Sequence, residues 1–255
     1  MKLTKIALLP LSILLIFMGI LLIYGFEGVS PGDLVGLLGD KEFLSAVVFG
    51  LETSLFSVLL SAVFGIPAGF YLARNNSSFS RFADILFDIP LVIPPLVVGA
   101  LLLNLFNCPF VERFYSFVFT FWGAAIAQFF ISFPFTVKSS KTAFELISPV
   151  YERIAMTLGA SPMKSFFDTT FRLSFYGIFS GLILSWLRSL GEFGATLLVG
   201  GGIAYKTENI PINIYLKITE GNFRSGFAAS LLVVVLAIVC VFLVKMVFSK
   251  KRIGI

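Results

Sequence analysis

The chain has 255 residues, 58% of them hydrophobic and 13% charged, with 31 phenylalanines, no histidine and a formal net charge of +5. A soluble globular domain carries about 25% charged residues, so half that share with a mean hydropathy of +0.98 reads as an all-α integral membrane protein. The lack of histidine removes the commonest transition-metal ligand and the usual general base, and Cys108 and Cys240 have no CxxC spacing, so neither a metal site nor a disulfide framework is indicated.

A spanning helix needs about 20 mostly apolar residues. Six stretches qualify, at about 6–26, 50–73, 84–106, 117–137, 175–200 and 226–248. The first follows Lys2 and Lys5, as a signal peptide would. Its apolar run is too long for an h-region, however, and "YGFEGVSPGD" offers no A-x-A-like cleavage site, so it is read as an uncleaved span. If the N-terminus is cytoplasmic, thirteen Lys and Arg fall on the inner segments and five on the outer ones. The positive-inside rule then places both termini in the cytoplasm. The terminal "SKKRIGI" is a membrane-flanking tail rather than a nucleic-acid patch. No separate soluble domain and no repeat is apparent, so residues 1–255 form one transmembrane domain.

Span two ends "FGIPAGFYLAR". Gly65 and Gly69 make a small-xxx-small face that admits a close neighbour, and Pro67 removes a backbone hydrogen bond and kinks the helix. Span three, "DILFDIPLVIPPLVVGALLL", carries Asp88 and three prolines, Pro90, Pro94 and Pro95, which break a straight helix. Such irregularity is tolerated only where protein or a water-filled cavity satisfies the freed carbonyls, which points to a translocation pathway or to a structural kink.

Two loops are long, 138–174 inside and 201–225 outside. In the inner one, residues 149–158 suit a short amphipathic helix that Gly159 stops, and Ser161 before Pro162 reads as an N-cap with proline at the first helical position. The prediction is helix, glycine corner, helix. Span five, "SWLRSLGEFGATLLVGGG", sets Arg188 and Glu192 four residues apart, on one face of a continuous helix. At about 1.5 Å per residue from Phe175 they stand roughly 20 and 26 Å up, in the outer half of the bilayer. An unpaired charge at a helix centre costs about 2.5–3.5 kcal/mol on insertion scales.

"ERIAMTLGASPMKSFF" resembles the EAA loop of ABC importer permeases, through Glu152, Ala155, Thr157, Leu158, Gly159, Ala160 and Ser161. Arg153 and Ile154 stand where an acid and an alanine are more usual, and "FRLS" where many members have a leucine-proline pair. "RSLGEFGAT", the following "KTENIPINIYLKITEGNF" and "DIPLVIPPLVVG" resemble the molybdate/tungstate permeases, a plan that sulfate permeases largely share. The resemblance covers nearly the whole chain.

It implies a type I importer permease fold of six transmembrane helices in a prokaryotic plasma (inner) membrane. It also implies a homodimer with the pathway between the copies, two cytoplasmic ATPase subunits that each receive the 149–166 coupling helix, and an external oxyanion-binding protein. No G-x-x-x-x-G-K-[ST] loop is present, so ATP and Mg belong to the partner ATPase and this chain, itself no enzyme, binds no cofactor and no nucleic acid.

Around the pathway, Arg188, Gly191, Glu192, Phe193 and Gly194 join Asp88, Pro94 and Pro95 as candidates. Arg188 and Glu192 form a structural pair, a gate, or a direct oxyanion contact through the guanidinium fork. The variant Glu192→Gln separates these, because a gate alters transport with assembly intact whereas a structural pair fails to insert or assemble. Lys206 and Lys217, offset by Glu208 and Glu220, suit docking of the binding protein better than an anion funnel. The alternatives are a sulfate or other oxyanion permease, or an ATPase-independent secondary transporter. The latter would usually show two related halves or a coupling-ion site, and neither is seen.

Overall fold

The structure, a computed structural model, describes the backbone of residues 2–27 and 29–249, with side chains over 8–25, 27, 29–239 and 242. The side chains of Lys2, Lys5, Cys240 and Lys245, and the whole basic tail, lie outside the described residues. Those described form helices and turns only. In chain order they are α1 (Lys2–Phe26), α2 (Pro31–Gly39), α3 (Lys41–Leu60), a first π turn (Ser61–Gly65), α4 (Ile66–Arg74), α5 (Ser78–Val92), α6 (Pro95–Phe106) and α7 (Pro109–Glu112). The second half comprises α8 (Phe121–Glu145), α9 (Val150–Thr157), α10 (Pro162–Ser165), a second π turn (Phe166–Phe171), α11 (Arg172–Leu190), α12 (Gly194–Gly200), α13 (Ile210–Thr219) and α14 (Phe223–Ser249).

The chain divides into two compact units, residues 1–44 with 213–255, and residues 45–212. In the first, α1 presents Leu, Ile and Phe side chains on all sides, with none of its Leu8–Gly25 window buried. A helix apolar all round is stable in lipid or against another chain. Helix α2 starts at a capping box, in which the Ser30 hydroxyl accepts from the Asp33 amide and the Asp33 carboxylate accepts from the Ser30 amide. Lys217 on α13 reaches Asp40 at 2.9 Å and Glu42 at 3.9 Å.

The second unit is organised around α8. A Cβ placed on Gly69 would stand 2.7 Å from Ser140 Cβ, and one on Gly181 would stand 2.3 Å from Ser139 Cβ, so α4 and α11 each press their backbone onto α8 where no side chain fits. Hydroxyls then bond across the seams. Ser57 Oγ lies 3.1 Å from Ser132 Oγ, Ser185 Oγ donates to the Ser132 carbonyl at 3.0 Å, and Ser189 Oγ donates to Gln128 Oε1 at 3.1 Å, all fully buried. Interhelical bonds of this kind contribute about 0.6 kcal/mol each where lipid offers no hydrophobic drive. Pro67 lacks the N–H that would bond residue 63, and the ladder re-registers as the π turn immediately before it.

Several expected spans are redrawn. The third is not one helix, because α5 and α6 meet at 110°. Ile93 precedes Pro94 and Pro94 precedes Pro95, so both are forced extended, with ψ of 145° and 137°. The fifth stops at Leu190 rather than 200. Helix α8 continues past 137 to Glu145, since Lys138, Lys141 and Glu145 end the apolarity but not the helix, and Lys141–Glu145 pair at i,i+4. The long loop expected at 138–174 thus shrinks to 146–161, while the run 162–190 is helical throughout. By length and apolarity, three described helices qualify as spans, Leu8–Gly25, Lys41–Arg74 and Pro162–Leu190, and the bent α5–α6 pair is either a broken fourth span or a re-entrant loop. Helix α8 is less apolar because it carries Gln128, Ser132 and Thr136, all fully buried, and the charges of Lys138, Lys141 and Glu145.

Candidate functional site

Three clusters collect the residues singled out from the sequence, and each is built differently. The first is the corner at 150–165. Helix α9 ends in a Schellman motif, with the Gly159 amide bonded to Met156 O and the Ala160 amide to Ala155 O, both at 3.0 Å. This requires φ +91° at residue 159, a conformation that costs a side-chain-bearing residue about 1–2 kcal/mol. Ser161 caps α10, its Oγ accepting from the Lys164 amide at 3.4 Å, with Pro162 at the first helical position. The helix–corner–helix expectation matches, with α9 at 150–157 against the expected 149–158 and α10 starting at Pro162.

Helix α9 has no buried residue. Its inner side carries Glu152 and Ala155, three residues apart. Thr157 spends its hydroxyl on the Ile154 carbonyl at 2.7 Å. Around its outer side, Tyr151, Ile154 and Leu158 stand exposed, Leu158 at 84%, while Met163 on α10, also exposed, lines the neighbouring cleft. A ridge of large apolar side chains on a polar loop marks an interaction surface. Behind it lies a cleft of about 510 Å³ lined mainly by Phe70, Phe144, Phe166, Phe171 and Glu152.

The second cluster surrounds Glu192. Arg188 and Glu192 do pair, Nη1 to Oε2 at 2.6 Å, but not on a continuous helix face. Helix α11 ends at Leu190, Gly191 turns, and Glu192 sits in the break before α12. Its side chain is 1% exposed. The second oxygen, Oε1, accepts from the Ala195 amide at 2.9 Å, and the Glu192 carbonyl accepts from Asn209 Nδ2 at 2.7 Å. Asn209 Oδ1 in turn accepts from the Ile212 amide at 3.2 Å. One acid therefore fastens the end of α11, caps the start of α12 and holds the start of α13. The straight-helix rise placing Glu192 about 6 Å above Arg188 does not apply, because the chain turns at Gly191.

Beside it, a Cβ on Gly194 would lie 3.1 Å from the Leu96 amide, and one on Gly99 would lie 2.7 Å from Ala195 Cα. The start of α6, with Pro94 and Pro95, is thereby brought against α12. Val98, Leu102, Phe106, Ala127, Ile131, Ala195 and Val199 pack there as one core.

The third cluster is one of ion pairs between α5 and α8. Lys138 Nζ lies 2.7 Å from Asp84 and 2.8 Å from Asp88, and Lys141 lies 2.7 Å from Asp84. Asp88 thus belongs with these residues and not with Glu192. Lys138 also lines a cleft of about 350 Å³ with Ser139, Thr142 and Ser180.

The outer loop needs correction. Glu208 is 2% exposed and Lys217 is buried against Asp40 and Glu42, so neither offers a docking charge, whereas Lys206 and Glu220 are exposed. Residues 210–219 of the supposed loop are helix α13, whose Ile212 and Asn213 are fully buried. Sequence reasoning passed over Arg74, Asp84, Thr170 and Asn209. An acid on α5 and a base towards the end of α8, in otherwise apolar segments, was an available signal for Asp84 and Lys138. Nothing local marks Asn209, since its partner is 17 residues away.

A family model described as "Binding-protein-dependent transport system inner membrane component" matches residues 65–253. The molybdenum transport system permease protein ModB of Escherichia coli strain K12 is 37% identical over 209 residues, 79% of this chain and 90% of that protein. The molybdate/tungstate transport system permease protein WtpB of Methanocaldococcus jannaschii is 32% identical over 225 residues, 88% of each. Among solved structures, a bacterial ABC transporter involved in import of the acidic polysaccharide alginate superposes with a TM-score of 0.72 at 19% identity, over 99% of this chain and 96% of that one. That last likeness is one of fold.

Proposed function

The chain belongs to the family of binding-protein-dependent transport system inner membrane components, and we propose that it is the membrane-spanning permease subunit of an ATP-driven importer of molybdate and tungstate. The observation that carries the reading is the exposed apolar ridge of Tyr151, Ile154 and Leu158 on a helix that ends at a stiff glycine corner. It fits a groove on a cytoplasmic ATPase. Cargo follows from the molybdenum and molybdate/tungstate permeases that the chain resembles over about four-fifths of its length or more.

In this reading two copies form the pathway, both termini are cytoplasmic, the chain crosses the membrane six times, and each copy receives one ATPase. Closure of the ATPases on ATP draws the two α9 helices together and opens the pathway outward. A binding protein delivers the oxyanion onto a mouth that includes Lys206 and Glu220, and hydrolysis restores the inward-facing form. ATP and Mg act only in the ATPase.

Glu192 and Arg188 serve as a structural pin at the outer end of α11, a role supported by the burial of Glu192 and its bond to the Ala195 amide. The pathway itself runs beside Pro94, Pro95, Gly191, Phe193 and Gly194, a placement supported by the breaks in α5–α6 and α11–α12 that these residues make. The Asp88–Lys138 pair steadies its inner end.

The test is ATPase activity of the permease reconstituted in liposomes with its ATPase and binding protein, with molybdate, tungstate and sulfate added in turn. Stimulation by the first two alone is expected. Stimulation by sulfate instead reassigns the cargo, and an ATP-competent assembly indifferent to all three overturns the oxyanion reading.

A further inference from the structure

Helix α9 exposes nearly all of its surface, yet any force delivered to it must reach the spanning helices. Among the described residues, its polar attachment to the body converges on Glu152. The Ser165 hydroxyl donates to the Glu152 carbonyl at 2.7 Å. The Thr170 hydroxyl, on the second π turn, donates to Glu152 Oε1. The same Oε1 lies 3.5 Å from Arg74 Nη2.

Arg74 is the last residue of the 34-residue helical run Lys41–Arg74, where a cation complements the helix dipole. Its other arm, Nη1, donates to the Ile147 carbonyl at 3.0 Å, just beyond the end of α8. Its guanidinium stands 5.8 Å from the Phe70 ring centroid. Nη2 is buried and makes no hydrogen bond, so Glu152 is its ion-pair partner at a distance longer than a formed hydrogen bond.

We infer that Arg74 is the positioning residue that transmits movement of α9 into the spanning helices, by tying Glu152 to the end of α4 and to the end of α8 at once. The inference rests on the importer reading above. A guanidinium suits the task because its planar fork holds two acceptors in fixed relation, which the single ammonium of lysine does not. The two π turns flank this junction along the chain, one before α4 and one between α10 and α11. Force entering at Glu152 therefore has two routes, through Arg74 into the α3–α4 run and through Thr170 into α11. Arg74 itself contacts neither cargo nor nucleotide.

The experiment compares wild type, Arg74→Gln, Arg74→Lys and Thr170→Val in liposomes with the ATPase and binding protein. It measures retained ATPase, ATP hydrolysed and molybdate taken up. For Arg74→Gln the expected result is an ATPase that stays bound and hydrolyses ATP while molybdate imported per ATP falls about tenfold, within the usual range of coupling between sites. Arg74→Lys should recover part of that ratio. Thr170→Val, which leaves all charges in place, should lower it in the same sense.

An Arg74→Gln complex with the wild-type ratio sinks the assignment alone. So does one that sheds its ATPase, because Arg74 would then belong to the docking surface. If Arg74→Gln does not fold, an unchanged ratio in both Arg74→Lys and Thr170→Val has the same force. A wild-type complex that binds no ATPase and imports no oxyanion overturns the importer reading, and this inference with it.

Discussion

Two glutamates in the second unit, Glu152 and Glu192, are built from the same parts. Each faces an arginine, each lies near a glycine that ends a helix, and each accepts one further hydrogen bond. They differ in water. Glu152 is partly open on a helix with no buried residue, whereas Glu192 is 1% exposed in the angle between two helices. The Arg74–Glu152 pair is loose at 3.5 Å, longer than a formed hydrogen bond, and its side chains are 18% and 22% exposed. Arg188–Glu192 closes at 2.6 Å on a carboxylate that is 1% exposed, and breaking a buried pair destabilises by about 3–5 kcal/mol. The same chemistry is therefore a releasable clasp in one place and a fixed pin in the other.

The largest expected effect tests the pin. Glu192→Ala uncaps α12 and strands Arg188, and should lower stability by about 3 kcal/mol, the low end for a buried pair because Arg188 is 31% exposed. Thermal unfolding in detergent reads this directly. Glu192→Gln keeps an acceptor for the Ala195 amide and should lose only about 1–2 kcal/mol. Wild-type stability combined with failed transport in Glu192→Gln would reverse the assignment and make the pair a gate.

The next effect tests the clasp. Gly159→Val forces a β-branched residue into φ +91°, at a cost of about 1–2 kcal/mol or more. No atom lies within 4 Å of the site, so the strain is conformational and local. Retention of the ATPase in pull-down should weaken about tenfold with little change in the unfolding temperature. Gly159→Asn, more tolerant of left-handed backbone, should weaken it less. An unfolding temperature that drops as far as in Glu192→Ala would mean that the corner is part of the core and the contrast between the two glutamates is false.

The two regions were also unequally legible. The corner was readable because its signals are local: Gly159 stops α9, and Ser161-Pro162 starts α10, within a few residues of chain. The Arg188–Glu192 pairing was legible but its geometry was not, because an i,i+4 spacing presumes a continuous helix, and Gly191 ends that helix between the two charges. Its third partner, Asn209, is set by tertiary packing. For the same reason Lys217 and Glu208 read as surface charges in a polar loop, whereas Lys217 lies on helix α13 against Asp40 and Glu42 and Glu208 is 2% exposed. The small-xxx-small face of Gly65 and Gly69 was legible in kind, though not in partner; the hydroxyls of Ser132 and Ser185 give no periodic signal that distinguishes a seam from a surface.

A third pair lies between these extremes and gives the smallest prediction. Burial alone would raise the Asp40 pKa, but the hydrogen bond and charge of Lys217, with the amides of Phe43 and Glu42, outweigh it and hold the carboxyl below its ordinary value. A carboxyl with a depressed folded pKa stabilises the fold above its unfolded value of about 3.9, and the contribution disappears as pH falls through the folded value. Asp40→Asn should therefore unfold at a lower temperature than wild type at pH 7. With Asp40 partly exposed, the difference should be no more than about 1 kcal/mol. The gap should close below about pH 4. A gap that persists in acid would mean that Asp40 does not act through its charge on Lys217, because Asn keeps the oxygen that caps the amides of residues 42 and 43, and it would move this pair from the clasp towards the pin.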